Sequence, residues 1–311
     1  MPNLRRASAR TPLLLSIAGL LLVPGSVLAQ SPSAATGAGS GASPAPCVPG
    51  EVGTIDHPTG CTDVVLRLDS CCGFMMVEAN LVSAPVFTLY GNNHAIFRPQ
   101  PADGMYPGPG QPMTPFVEAV LTPAQVDALL TYALGPGGLA AAPEQLLNPM
   151  IADAPTTIFT IDAGGVQKQV SAQALSPDND PSTPDAQVRD QLASLSDLLD
   201  SFEDQVAAGN VESAAPYEPT AYRGALTQVY DGATDPVVAW PWPDLPPSAF
   251  VGPADGVARY ATLTPEQVAA VTPVPSGGIT SVRLKAEDGT EAYLSVRPLL
   301  PGEPALPDGI A

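Results

Sequence analysis

The sequence is short of cations. Only Lys168 and Lys285 supply lysine in 311 residues, and 12 Lys and Arg face 31 Asp and Glu, for a net charge of −19. A chain this acidic is repelled by nucleic acid phosphates and by anionic lipid, which excludes a nucleic-acid binder. Histidine, the commonest general base and metal ligand, occurs twice, at His57 and His94, and neither sits in an H-E-x-x-H metal helix. Aromatics are 5%, and both tryptophans, Trp240 and Trp242, fall in one Trp-Pro-Trp-Pro string. No G-x-S-x-G nucleophile elbow and no Walker or dinucleotide glycine pattern is present.

Long apolar runs are also missing. The most apolar stretch, residues 13–23, falls short of the roughly 20 residues a bilayer-spanning helix needs. Arg5, Arg6 and Arg10 precede it, Pro24 and Gly25 break it, and Val27-Leu28-Ala29 places small residues before Gln30. This three-part order predicts a cleavable secretory signal peptide over residues 1–29, on the general export route. Cleavage removes those three Arg and no acid, taking the net charge from −19 to −22. The mature chain is expected outside the cytoplasm, secreted or at the cell envelope, with no stable membrane insertion.

What is abundant is proline, 38 residues, and glycine, 28, together about a fifth of the chain and below the roughly 25–30% that marks general disorder. A hydrophobic content of 45% supplies a core. Residues 30–46 are Ser, Ala, Gly and Pro apart from Gln30 and Thr36, and are expected to form a flexible tether. Pro- and Gly-rich loops are expected over 104–115, 176–184 and 240–247, with a loose tail after Pro301.

Between these loops, residues 64–69 alternate as a strand, Val64, Leu66 and Leu68 against Val65, Arg67 and Asp69. Three hairpins follow from turn chemistry: residues 87–90 with 95–98 across Gly91-Asn92-Asn93, 157–161 with 166–170 across Ala163-Gly164-Gly165, and 280–285 with 291–296 across Asp288-Gly289. Thr122-Pro123-Ala124-Gln125 is a capping box with Pro at the first helical position, and Gly135-Pro136 ends that helix. A longer helix is predicted over 184–208, with Val188, Leu192, Leu195, Leu199, Phe202 and Val206 as its apolar stripe. Its opposite face carries Asp190, Asp197, Asp200 and Asp204, read as solvated.

The string Leu121-Thr122-Pro123-Ala124-Gln125-Val126 recurs as Leu263-Thr264-Pro265-Glu266-Gln267-Val268, each time ahead of a hairpin. The prediction is an α+β fold in which antiparallel sheets each carry a packed helix, with an internal repeat of two units. The expected domains are a first unit over 47–175, a linking helix over 176–212, a second unit over 213–300 and a tail over 301–311.

Phe87-Thr88-Leu89-Tyr90-Gly91-Asn92-Asn93, the Leu121-Thr122-Pro123 helix start, and Asp153-Ala154-Pro155-Thr156-Thr157 before a strand resemble a group of exported bacterial proteins of unknown function. In that group a strand, a Tyr-Gly turn and a strand precede a capped helix and a second hairpin. The resemblance covers residues 64–170 and departs at Asn92-Asn93, where Asp-Gly is the expected turn. It implies the α+β fold and carries over no catalytic residue.

Four cysteines, Cys47, Cys61, Cys71 and Cys72, imply disulfides in an exported chain. Three connectivities are open. Pairing of Cys71 and Cys72 with Cys47 and Cys61 is favoured because adjacent cysteines close only a strained ring, and a vicinal redox pair is the alternative. No metal and no cofactor are expected: the cysteines lack C-x-x-C spacing, and the oxygen-rich residues 178–185 lack the central Gly and closing Glu of a calcium loop. Trp240 and Trp242 are the candidates for stacking on a sugar or peptide, against the plainer reading that both anchor a strap to the core. The function expected is non-enzymatic, an exported binding or structural protein with a protein or carbohydrate partner. The alternative is a secreted hydrolase with a dispersed carboxylate pair, Asp69 and Glu78.

Overall fold

Alternation of apolar and polar residues, punctuated by turns that demand positive φ, produces two sheets. In the computed structural model the structure describes residues 47–73, 80–81, 83–101, 108–148, 150–176, 182–183, 185–253 and 256–307. The expected signal peptide (1–29) and tether (30–46), Glu78 and most of the oxygen-rich 178–185 stretch lie outside the described residues.

The first sheet orders eight strands as β5-β7-β6-β1-β2-β3-β4-β8. They are β1 (Val64–Cys71), β2 (Phe87–Tyr90), β3 (His94–Phe97), β4 (Val117–Val120), β5 (Gln145–Leu146), β6 (Thr156–Ala163), β7 (Val166–Gln173) and β8 (Ser213–Pro216). All pairings are antiparallel except β5 with β7. The β2–β3 turn places Asn93 at φ 65°, which Asn tolerates, and buries its amide against the Glu51 carbonyl at 2.9 Å. The β6–β7 turn puts both Gly164 and Gly165 at positive φ, the backbone that a two-residue hairpin of matching twist requires.

Helix α1 (Pro123–Leu134) starts as expected: the Thr122 hydroxyl accepts from the Gln125 N–H and the Gln125 side chain accepts from the Thr122 N–H. The predicted helix over 184–208 is instead two, α2 (Ala186–Asp200) and α3 (Glu203–Ala207). Ser201 interrupts it, its hydroxyl donating back to the Asp197 carbonyl, the local competition that bends helices at serine. The apolar stripe is nevertheless as read. Leu192, Leu195, Leu199 and Phe202 are buried with Val126, Leu130 and the inward residues Leu66, Leu68, Phe87, Leu89 and Phe97 of the sheet. Phe202 sits between Phe87 and Phe97, ring centroids at 4.8 and 5.2 Å. Each such side chain contributes about 1.5–3 kcal/mol by leaving water. The linking helix therefore belongs to the first sheet rather than lying between the two. Arg189 of α2, absent from the predicted stripe, is fully buried and donates to the Gln173 and Leu146 carbonyls, both at 2.8 Å.

The second sheet orders five strands as β10-β12-β13-β9-β11. They are β9 (Tyr222–Gln228), β10 (Val237–Ala239), β11 (Ala258–Leu263), β12 (Ile279–Lys285) and β13 (Glu291–Pro298). Helix α4 (Pro265–Ala269) repeats the capping box of α1, with Thr264 and Gln267 in the two roles. The likeness between the halves ends there. The hairpin after α1 joins its sheet through its first strand, β6 on β1, whereas the hairpin after α4 joins through its second, β13 on β9.

The described residues from Cys47 onward group as one compact unit. The loop before β4 joins the sheets. Met113 N–H donates to the Gly278 carbonyl at 3.1 Å, and Pro112 bridges Ile279. Gly277 is required at this junction, because a Cβ there would lie 1.9 Å from the Met113 carbonyl oxygen. No helix among the described residues is long and apolar enough to cross a membrane.

The cysteines are all oxidised, as expected, but the pairing differs: Cys47 bonds Cys61, and Cys71 bonds Cys72. The favoured crossed pairing would need the arm around Cys47 beside the end of β1. The arm instead doubles back on itself, Gly50 N–H donating to the Thr59 carbonyl at 3.0 Å, which brings Cys47 within 6.0 Å of Cys61, Cα to Cα. The disulfides fit an oxidising compartment.

Candidate functional site

Strand alternation gives the first sheet a second face. Leu66 and Leu68 point to the helices, so Arg67 and Asp69 point away, and the register sets Thr88 opposite Arg67. Thr88 and Tyr90 of β2, His94 and Ile96 of β3 and Glu118 of β4 share that face by the same parity.

The chain beyond β13 covers part of this face. Leu300 is buried with Tyr90, Ile96, Phe116 and Tyr217. The Tyr217 hydroxyl donates to the Leu299 carbonyl at 3.0 Å. Arg297 reaches Glu303 through both terminal nitrogens, at 2.7 and 3.2 Å, and the Leu300 N–H donates to the same carboxylate at 2.9 Å. Arg223 donates to the Pro304 carbonyl at 2.7 Å. The chain is thus fastened from Leu299 to Pro304, so the beginning of the 301–311 segment read as a loose tail is held down, while residues 308–311 lie outside the described residues.

Beneath this cover the polar groups are incompletely served. The Thr88 and Tyr90 hydroxyls and the Nε–H groups of Arg67 and Arg297 are buried without an aligned hydrogen-bond partner. The Arg67 guanidinium stands beside the Tyr90 hydroxyl, and Thr88 flanks it. Burial pushes the Tyr90 phenol up to about 12, against the opposing pull of Arg67, so it stays neutral. Burial likewise raises the Asp69 carboxyl above its ordinary value, a rise that Arg67 opposes and Glu303 reinforces. Burial and the proximity of Tyr90 and Glu118 raise Tyr217.

Arg67 is half-buried and closes no ion pair with any carboxylate among the described residues. Every other Lys and Arg among them is engaged. Arg98 donates to the Gly277 carbonyl, Lys168 to Ala140 and Ala142, Arg259 to Pro247, and Arg283 and Lys285 to Glu291. Arg189, Arg223 and Arg297 have the partners already given. In a chain with so few cations, a guanidinium that closes no ion pair and stands beside the Tyr90 hydroxyl is the feature that stands out.

The candidates from sequence fare unevenly. Trp240 and Trp242 do not form a stacking platform. Trp242 is buried, its indole N–H donating to the Gln267 carbonyl at 3.0 Å, and the Trp240 N–H donates to the carbonyls of Trp242 and Leu245. The rings meet edge-on at 5.4 Å, and Trp240 is edge-on to Phe250 at 6.0 Å. Proline holds the strap and the indoles pin it to the second core, the plainer of the two expectations.

His94 contacts Glu118 at 2.7 Å, half-exposed on the open face of the first sheet. His57 is covered and bonds through Nδ1 to the Pro58 carbonyl at 2.7 Å. Asp69 lies in the polar cluster, whereas its proposed partner Glu78 is outside the described residues. The carboxylate brought near Asp69 is Glu303. Cys71 and Cys72 end β1 at the margin of the same sheet, and Cys47 and Cys61 staple the N-terminal arm. No group of three or more His, Cys, Asp or Glu able to hold a metal occurs among the described residues.

Arg67, Thr88, Tyr90, Arg297 and Glu303 were not singled out by sequence. The available signal was Arg67 and Asp69 alternating with leucines, a pattern equally suited to a solvent-facing side. Only the return of the C-terminal segment makes that side an interior.

No family model, curated protein or solved structure matches this chain.

Proposed function

We propose that this chain is an exported, non-enzymatic protein that acts by binding, outside the cytoplasm or at the cell envelope, alongside the exported bacterial proteins of unknown function that its first hairpin resembles. The observation that carries the binding reading is Arg67. It is partly desolvated, closes no ion pair among the described residues, and stands beside two buried hydroxyls that lack an aligned hydrogen-bond partner, an arrangement that is costly to keep. Export is supported by the charged, apolar and small-residue order of residues 1–29 and by two disulfides downstream.

Expression of the full chain in an exporting host tests both parts. The expected product begins at Gln30, lies outside the cytoplasm with four oxidised cysteines, and retains a small ligand in native mass spectrometry that Arg67→Met loses. Full-length, thiol-reduced protein in the cytosol overturns export. Ligand retention unchanged by Arg67→Met overturns binding at this place.

A hydrolase is the second reading, favoured by the raised Asp69 carboxyl with Glu303 close by. Against it, both oxygens of Glu303 already accept from Arg297 or Leu300. Turnover of ester or glycoside substrates that Asp69→Asn abolishes would establish the hydrolase in place of the binding protein.

A further inference from the structure

Resting on that binding reading, we propose that Arg67 and Asp69 form a recognition site for a small hydroxylated carboxylate of the sugar-acid class, with Tyr90 and Thr88 beside the guanidinium as neutral polar groups. Arg67 and Asp69 are two apart on β1, on the same face, and both are partly exposed, so one ligand reaches both. A guanidinium offers a planar fork of donors that matches the two oxygens of a carboxylate, a pairing shorter and stronger than a neutral hydrogen bond.

The charge of the surroundings selects among anions. Glu303 and Arg297 lie near Asp69 and pair with each other, and the chain carries −19 overall. A phosphate dianion meets that field with twice the charge of a carboxylate and gains the same fork, so a carboxylate monoanion is preferred. Next to the fork, the Asp69 carboxyl is placed to bond a hydroxyl of the same ligand, accepting when ionised and also able to donate when protonated. Tyr90 and Thr88 are almost wholly covered, at 1% and 0% exposure, and take no part in ligand contact. They stand beside Arg67 as neutral polar groups and so leave its charge in place.

Titration of the mature protein with glucuronate, glucose and inorganic phosphate, followed by calorimetry or amide NMR shifts, tests the assignment. Glucuronate is expected to saturate, with glucose and phosphate each weaker by about tenfold or more, the worth of a charge-assisted pair. Arg67→Met is expected to lose glucuronate by a similar factor. Arg67→Lys, which keeps the charge and loses the fork, falls between, and unchanged thermal midpoints show that both variants are folded. Tyr90→Phe leaves the charge in place and weakens glucuronate by less than Arg67→Met does.

Glucose or phosphate binding as tightly as glucuronate, or folded Arg67→Met binding like the unsubstituted protein, overturns the carboxylate site. Failure of all three probes overturns it too. The broader binding reading falls separately, when the exported protein retains no ligand in native mass spectrometry.

Discussion

Arg297 and Glu303 close a two-pronged ion pair, 5% and 11% exposed, that ties the end of β13 to the segment beyond it. Six residues apart in sequence, they turn the chain back over the open face of the first sheet. Removing Glu303 leaves Arg297 charged and buried without its ion-pair partner. Glu303→Ala is therefore expected to cost about 3–5 kcal/mol. Urea denaturation followed by tryptophan emission measures it, and a loss within about 0.5 kcal/mol, as at an ordinary surface site, would contradict the buried clasp.

Asp127 plays the corresponding part for the arm around Thr54. Its carboxylate accepts from the Thr54 N–H at 2.7 Å, the Thr54 hydroxyl at 2.8 Å and the Ile55 N–H at 3.0 Å. Desolvation raises its pKa, but these hydrogen bonds outweigh it and hold the carboxyl below its ordinary value of 3.8. A depressed folded-state pKa contributes stability above the unfolded value, lost as pH falls through the folded one. The arm around Thr54 should therefore stay protected at neutral pH and begin to open below about pH 4, with Asp127→Asn reducing protection at pH 7. Hydrogen exchange across this range is the measurement. An arm equally protected at pH 7 and pH 2 would refute the link.

Phe202, between Phe87 and Phe97, fastens the broken end of the α2–α3 segment to the sheet. Truncation to alanine removes the ring and leaves a cavity in a core that relaxes only partly. The expected loss is about 3–5 kcal/mol, against under about 1 kcal/mol for Val206→Ala at the half-buried end of the same stripe. Chemical denaturation of the two variants side by side decides it.

The disulfides should differ in worth. Cys47 and Cys61 are 14 residues apart, a loop whose closure contributes about 3 kcal/mol on the chain-entropy account. Cys71 and Cys72 are neighbours and restrain almost no additional chain. The double substitution Cys47→Ser with Cys61→Ser should lower the midpoint by several degrees, and Cys71→Ser with Cys72→Ser by little. Peptide mapping of the unreduced protein should recover Cys47 linked to Cys61. A peptide joining Cys47 to Cys71 or Cys72 would restore the crossed arrangement.

Much of the fold was legible because it is written locally. The β6–β7 hairpin follows from Gly164-Gly165, whose positive φ needs no distant contact. Helix α1 follows from Thr122, Pro123 and Gln125, and again needs nothing from afar. The register of Leu192, Leu195, Leu199 and Phe202 foretold which face of the linking helix is buried, though not which sheet it covers. The break at Ser201 escaped because the apolar stripe runs unchanged across it, so periodicity carries no mark of the hydroxyl bond to Asp197. Sequence alone also settled charge, the scarcity of cations and the alternation of β1, since these are properties of composition and of a two-residue period.

Tertiary structure decided the rest: that Cys47 meets Cys61, that the indoles of Trp240 and Trp242 face inward, and that Arg67 and Asp69 become a half-covered polar cluster instead of a wet face. In each case the deciding partner lies beyond local reach, Gln267 for Trp242 and the chain around Glu303 for Asp69. Propensity and periodicity carry no information about which distant segment returns to cover a given face. Burial, which turns a common strand arginine into a half-covered charge with no ion pair, exists only once that segment has arrived.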